Sequence, residues 1–147
     1  MIIHIDAPDY LIQYILFKTQ DRNPQKDWID TCSSNSLTYC LLTNFRRPKG
    51  NEYMPEKTSG LKIRISNKLK LEKRIYLSPT SQDVFLTLAQ KQFKDEFRGY
   101  MADLLHKDAF IVSSIKNFLE TRGVDYNRRV YEMLCKDFYR WRAKLTA

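Results

Sequence analysis

The spacing of apolar residues changes at Ser78, and this change constrains the fold more than any other feature of the chain. A period of about 3.6 residues is that of an amphipathic helix, so the chain after Ser78 is predicted to be helical. Ser78 followed by Pro79 is a favourable N-cap and first-turn pair. The stripe of the first helix consists of Phe85, Ala89, Phe93, Phe97, Met101 and Leu104.

Two more helices are predicted in this C-terminal part. The first starts near Asp108 and ends at Gly123, since a glycine followed by an apolar residue is typical of a helix stop. Its inward residues are Ile111, Ile115, Phe118 and Leu119. The second is capped by Asp125 or Asn127 and has the strongest amphipathic pattern in the chain. Its inward residues are Val130, Leu134, Phe138, Trp141 and Leu145.

The N-terminal part predicts a mixture of strands and helices. Residues 2–5 are rich in isoleucine and predict a short strand. Asp6 is then expected to cap a helix with Pro8 in its first turn, and a second helix is expected at about 35–44. Residues 46–60 contain two glycines and two prolines and predict a loop.

Residues 61–77 predict a hairpin. Leu61, Ile63 and Ile65 alternate with two basic residues, which is typical of a half-buried strand. Ser66 and Asn67 are expected to form the turn, and residues 69–77 the return strand.

The resulting fold prediction is one α+β domain over 1–147. Residues 1–77 form a half with strands, helices and a basic hairpin, and residues 78–147 form a helical half. We expect a small antiparallel sheet of two or three strands, two N-terminal helices, and three C-terminal helices that end in a helix-turn-helix-like pair. Most of the nineteen aromatic residues are expected in the core, although some tyrosines could stack on bases.

Positive charge is concentrated in one segment. The net charge is +8, and residues 46–74 alone carry ten Lys and Arg against three Glu. A one-sided positive field attracts polyanions. Lysines on exposed strands also discourage aggregation, but that role explains only a few of these residues. We call this segment the belt, and its candidate phosphate ligands are Arg46, Arg47, Lys49, Lys62, Arg64, Lys68, Lys70, Lys73 and Arg74.

The last helix is the second basic candidate. A core stripe backed by a basic face suits a helix that reads DNA, although the same face could simply be solvated. A predicted helix, a turn at Gly123 and a basic helix follow one another in the order of a helix-turn-helix unit. Alignment on Gly123 makes the turn one residue too long, so an ordinary helical hairpin stays an alternative. The candidate residues are Arg128, Arg129, Lys136, Tyr139, Arg140, Arg142 and Lys144.

Several other function classes find no support in the sequence. No catalytic motif or phosphate-binding glycine loop is present, so we predict no enzyme and no cofactor. Cys32, Cys40, Cys135, His4 and His106 lack metal-ligand spacing, which predicts free thiols, a reducing compartment and no metal. No secretory signal or apolar span is seen, so a cytoplasmic protein without membrane contact is expected.

The chain resembles small proteins of phages and conjugative elements of gut bacteria. The resemblance is carried by residues 7–12, Ala-Pro-Asp-Tyr-Leu-Ile, by the basic Pro/Gly loop, and by a closing run with Lys136, Tyr139, Arg140 and Arg142. It implies a mobile-element context and DNA binding, and it supplies no active site.

The function predicted from the sequence is nucleic-acid binding, with double-stranded DNA favoured over RNA. The alternative is a structural or adaptor protein of a phage or mobile element that binds an acidic protein partner. A homodimer would suit a two-fold operator, but no heptad seam predicts one.

Overall fold

The described part of the chain, residues 1–20, 26–31, 35–104 and 110–146 of a computed structural model, combines six α-helices with one three-stranded sheet. This is the α+β class that the sequence predicts. A 3-10 turn at Ala102–Leu104 follows the fourth helix. The strands and helices are β1 (Ile2–Ile5), α1 (Asp9–Thr19), β2 (Trp28–Asp30), α2 (Ser36–Asn44), β3 (Leu61–Arg64), α3 (Asn67–Leu71), α4 (Pro79–Met101), α5 (Ile111–Thr121) and α6 (Arg128–Thr146).

The sheet has the order β1-β3-β2, with β3 at its centre. β1 pairs antiparallel with β3, whereas β2 pairs parallel with β3. The sequence did not predict β2, and the sheet is therefore mixed. Successive side chains of a strand point to opposite faces of the sheet. Ile3, Ile29 and Ile63 point into the core, and the opposite face of the sheet lies outside the core.

The predicted hairpin is wrong. The segment after β3 forms the one-turn helix α3 in place of a return strand, because the Ser66 hydroxyl accepts a hydrogen bond from the Leu69 N–H at 3.3 Å and caps it. Leu69 is buried by this turn. Among the described residues beyond α3, strand-like pairing is limited to one antiparallel bridge between Arg46 and Tyr76.

The helical half follows its sequence signals closely. The Ser78 hydroxyl accepts a hydrogen bond from the Ser81 N–H, and Pro79 begins α4. After α5, Gly123 has a φ of +67°, and the Val124 N–H donates to the Leu119 carbonyl at 2.9 Å. This hydrogen bond is that of a Schellman stop. The predicted start near Asp108 lies outside the described residues.

The structure selects one of two predicted caps of α6 and differs from the sequence prediction at two other positions near helix ends. Asn127 caps α6, because its side chain accepts a hydrogen bond from the Val130 N–H at 3.0 Å. Pro8, and not Asp6, occupies the N-cap of α1, and it makes no side-chain cap bond. Leu145 is 57% exposed, so the buried stripe of α6 ends before it.

Aromatic rings join α1, α4 and α5 in the core. The ring of Phe93 lies 4.9 Å from that of Tyr14 and 5.4 Å from those of Tyr10 and Phe118, measured between centroids. Such tilted pairs add to the free energy gained by burying the rings. The aromatic residues therefore serve largely as core, which fixes α4 as the central helix.

A carboxylate on α4 ties the same three helices together. Glu96 accepts a short hydrogen bond from the Tyr14 hydroxyl and a second from the Lys18 ammonium at 2.7 Å. The Arg122 guanidinium lies 3.7 Å from the same carboxylate. Burial, and then the hydrogen bond to Glu96, raise the pKa of the Tyr14 phenol far above its usual value. Glu96 is thus the shared partner of Tyr14 and Lys18 from α1 and of Arg122, which directly follows α5.

Candidate nucleic-acid interface

The belt contains cations that the fold uses for its own structure. The Arg46 guanidinium donates two hydrogen bonds to the Glu52 carboxylate, at 2.7 and 2.8 Å, and lies 4.7 Å from the centroid of the Tyr76 ring. Arg46 and the Lys49 backbone N–H lower the pKa of Glu52 to about 2. Arg46 therefore organises the loop that the sequence assigned to phosphate contact.

Arg74 closes the end of α2. Its Nε donates to the Phe45 carbonyl at 3.0 Å, and its Nη2 donates to the Leu42 carbonyl at 2.7 Å. The last carbonyls of a helix have no partner within the helix, so this guanidinium satisfies groups that would otherwise need water. Arg74 also pairs with Glu72 at 3.1 Å. It is a structural residue more than a phosphate ligand.

Two other belt cations are partly engaged. Lys62 pairs with Asp27 at 2.5 Å, and the hydrogen bond from Lys62 lowers the pKa of Asp27. Arg47 is exposed, and its Nε donates to the Glu72 carbonyl at 2.8 Å. Exposed pairs of this kind stabilise a fold only slightly, so both side chains can exchange these partners for a phosphate at small cost.

Lys57 pairs with Asp6 at 2.9 Å, and the remaining belt cations are exposed and form no ion pair with any described residue. We call them the free belt cations. Lys70, by a hydrogen bond and by its charge, and Arg64, by its charge, lower the pKa of the amino group at Met1, so these groups lie close together. The positive surface is thus smaller than the sequence suggests, and it is centred on the end of β3 and on α3. The free belt cations are Lys49, Arg64, Lys68, Lys70 and Lys73.

The outer face of the sheet places an aromatic ring beside this surface. The strand register sets Lys62 between His4 and Trp28. The Lys26 ammonium lies 5.7 Å from the centroid of the Trp28 ring. The Trp28 indole N–H is buried and has no hydrogen-bond acceptor among the described residues. A ring flanked by cations is the kind of surface on which bases stack.

Helix α6 carries the second positive surface. Its outward stripe spans sixteen residue positions, or about 22 Å at the helical rise, and no member of it forms an ion pair with a described residue. Tyr139 is 44% exposed beside this stripe, and the Arg142 guanidinium lies 4.9 Å from its ring centroid. The stripe consists of Arg129, Lys136, Arg140 and Lys144, all exposed.

Both acidic residues of α6 are paired with arginines. Asp137 is 11% exposed and accepts two hydrogen bonds from Arg98 of α4, at 3.1 and 2.8 Å. Glu132 pairs with Arg128 at 2.9 Å along the helix surface. Because both carboxylates are engaged, the field of the outer face is dominated by its Arg and Lys residues. Arg128 itself is therefore ion-paired along the helix.

The two positive surfaces lie on different elements. α6 packs against α4 and α5, whereas the free belt cations lie after α2, at the end of β3, and in or directly after α3. Six residues, 122–127, join α5 to α6, while a helix-turn-helix unit has a turn of about three or four residues. The role of α6 as a recognition helix therefore stays a prediction.

The aromatic part of the sheet face was not predicted from the sequence. The alternation of Ile3 and Ile5 with His4 was enough to predict that His4 points outward. Trp28 had no comparable signal, because β2 is only three residues long. Its position depends on pairing with β3, which is distant in the sequence.

Two findings on other kinds of site apply to the described residues only. Within them, no three His, Cys, Asp or Glu side chains gather to hold a metal ion, and no helix is long and apolar enough to cross a membrane. Cys40 and Cys135 are free thiols, and burial raises the pKa of Cys40. Cys32 and His106 lie outside the described residues.

No family model matches this chain, and no curated protein or solved structure matches it at a significant level. Its function is therefore inferred from its own residues and their geometry.

Proposed function

We propose that this protein binds double-stranded DNA, with α6 in the major groove and the free belt cations on phosphates. The observation that carries the proposal is the outward stripe of α6, which is exposed, basic and free of ion pairs with described residues. The engagement of Asp137 by Arg98 removes the acid that would otherwise weaken it.

The dimensions of α6 suit this role. An α-helix with its side chains is about 10–12 Å across, and the major groove of B-DNA is about 12 Å wide. Lysine and arginine neutralise phosphates, and arginine can also donate two hydrogen bonds to guanine. Arg140 is the arginine of the stripe that does not lie at one of its ends, so we assign it to base contact. Arg129, Lys136 and Lys144 then contact the backbone on either side.

The free belt cations supply the part of binding that does not depend on sequence. Lys68 and Lys70 lie on the short helix α3, and Lys73 follows it directly. Contacts to phosphates release counterions, so each one adds about 0.9 to the slope of log affinity against log salt. The belt is thus expected to strengthen binding to all duplexes alike.

Fluorescence anisotropy with a labelled random-sequence duplex tests the proposal. We expect the logarithm of the affinity to fall linearly with the logarithm of salt concentration, with a slope of about −4 or steeper. A specific site is then obtained by selection from random duplexes. Absence of binding at low salt would contradict the proposal and would favour the adaptor alternative.

Matched double variants separate the two surfaces. Lys68→Ala/Lys70→Ala is expected to flatten the salt slope by about 1.8 for every duplex. Lys136→Ala/Arg140→Ala is expected to weaken binding and also to reduce the preference for the selected site. The control is Lys91→Ala/Lys94→Ala on α4, which removes the same net charge.

Comparison of the control with the two test variants distinguishes binding through an assigned surface from attraction by net charge alone. Equal losses in all three would show that only net charge matters, and would contradict an assigned surface. Equal losses on every sequence from both test variants would contradict the recognition role of α6 alone.

In the context that the resemblance implies, the protein would be a regulatory or accessory factor of a phage or conjugative element, acting in the cytoplasm.

A further inference from the structure

The outer edge of β1 is unpaired among the described residues. The Ile65 N–H donates to the Met1 carbonyl at 2.9 Å, and the same register pairs Ile3 with Ile63. In an antiparallel ladder, alternate residues turn both backbone groups toward the partner strand. The N–H and C=O groups of Ile2 and His4 therefore point away from β3, and no described residue forms a hydrogen bond with them.

A groove runs beside this edge. Its volume is 530 Å³, and residues 1–4 form one part of its lining. A smaller cavity of 240 Å³ is lined by His4 and by residues of the same loop. Volumes of several hundred Å³ are typical of sites that hold a ligand. Across from β1, the apolar lining comes from Pro48, Tyr53, Met54, Pro55, Ile75 and Tyr76.

The charges around the groove are distributed unevenly. Glu52 is held by Arg46, and Lys57 pairs with Asp6 at 2.9 Å, so these two lining residues already have partners. Glu56, the third charged residue of the lining, is exposed and forms no ion pair with a described residue. At the Met1 end, by contrast, Lys70 and Arg64 are exposed and lack ion-pair partners among the described residues. The apolar walls suit apolar side chains, and this end suits a carboxylate.

We propose that the groove binds an extended peptide segment of a partner protein, which adds a strand to β1. The unpaired backbone groups of Ile2 and His4 would pair with the peptide backbone. Apolar side chains at alternate positions of the peptide would fill the groove, because alternate residues of a strand point to the same side. An acidic residue of the peptide would lie at the Met1 end, near Lys70 and Arg64.

A second copy of this chain fits the edge less well than a separate peptide does. Residues 48 and 52–58 stand beside β1 in every copy, so two copies that paired through β1 would bring these loops against each other. A single extended segment has no such loop. This inference concerns a different surface from α6 and does not depend on DNA binding, although Arg64 and Lys70 also belong to the free belt cations.

Position 4 allows a direct test. Proline at an edge strand is tolerated where its missing N–H would face outward, so His4→Pro removes the outward donor and keeps the ladder with β3. His4→Ala keeps the donor and removes only the side chain, which makes it the matched control. Peptides are first selected from a random display library on the immobilised protein, and the enriched sequence is synthesised with a fluorescent label.

We expect the enriched peptides to alternate apolar residues and to carry an acidic residue at one end. Affinity for His4→Pro should fall by about tenfold relative to His4→Ala, which is the scale of one lost hydrogen bond with its partner left unsatisfied. Methylation of alternate backbone nitrogens in the peptide should weaken binding to the unmodified protein by a similar factor. That measurement does not require a folded variant.

Four results would overturn the proposal. They are a selection with no enrichment over an unrelated protein, equal affinities for the two position-4 variants, full tolerance of backbone methylation, and a dimer in light scattering that the peptide dissociates. The last would show that a second copy occupies the edge. Circular dichroism of both variants checks that the sheet is kept.

Discussion

Replacing Glu96 by alanine should destabilise the protein by about 3 kcal/mol. The Tyr14 hydroxyl is fully buried, and loss of its charged acceptor costs about 1.5–3 kcal/mol. Lys18 is 16% exposed and loses its 2.7 Å pair, which adds up to about 1 kcal/mol. The contact with Arg122 at 3.7 Å adds a few tenths at most.

A double-mutant cycle with Tyr14→Phe tests the reasoning behind this value. Tyr14→Phe alone removes the hydroxyl and leaves Glu96 with its cations, so a cost of about 1 kcal/mol is expected. In the double variant no buried hydroxyl is left without an acceptor. The two single costs should therefore exceed the double cost by about 1–2 kcal/mol.

Urea unfolding followed by circular dichroism gives the required free energies. The control is Asp95→Ala, which removes the neighbouring acid of α4 and its exposed pair with Lys91 at 2.6 Å. That change should cost less than about 0.5 kcal/mol. A Glu96→Ala cost as small as that of the control, or additive costs in the cycle, would refute the view that Glu96 joins α1 to α4.

The remaining predictions concern backbone space and pH. Gly60→Ala should destabilise the protein by more than about 2 kcal/mol in urea unfolding, because φ is +108° and the new Cβ would lie 2.4 Å from the Ile5 carbonyl oxygen. Gly99→Ala should stabilise it by about 0.5–1 kcal/mol, since a Cβ there meets nothing within 4 Å, and a loss of stability would contradict this. Glu52 has its pKa lowered from 4.5 to about 2, so its bridge to Arg46 should be complete above pH 4.5 and should be lost as the pH falls toward 2. An NMR titration of its carboxyl checks this, and Arg46→Ala should return the midpoint to the ordinary range.

The helical half could be predicted from the sequence because its signals are local. Ser78, Gly123 and the stripes of α4 to α6 act within one or two turns of the chain. The sheet could not be predicted in the same way. The alternation of Lys68, Leu69, Lys70 and Leu71 is too short to distinguish a strand from one helical turn, and the Ser66 cap decides for the turn.

The candidate site was likewise predictable only where its signals are local in the sequence. The sequence locates every basic residue but not the partner of each one. Arg74 reaches the carbonyl of Leu42, 32 positions away, and Arg47 reaches that of Glu72, 25 positions away. Such contacts depend on the folded backbone, so the belt appears larger in the sequence than it is on the surface. The stripe of α6 was predictable because helical periodicity alone turns it outward.

The central position of β3 has a consequence for how the chain folds. In the order β1-β3-β2, the two outer strands bond to β3 and not to each other. Both precede β3 in the chain, so during synthesis they emerge before any sheet partner exists. Exposed strands of this kind are open to pairing with other chains. The native sheet of the N-terminal half therefore cannot form until residues 61–64 have left the ribosome and are available to both neighbours.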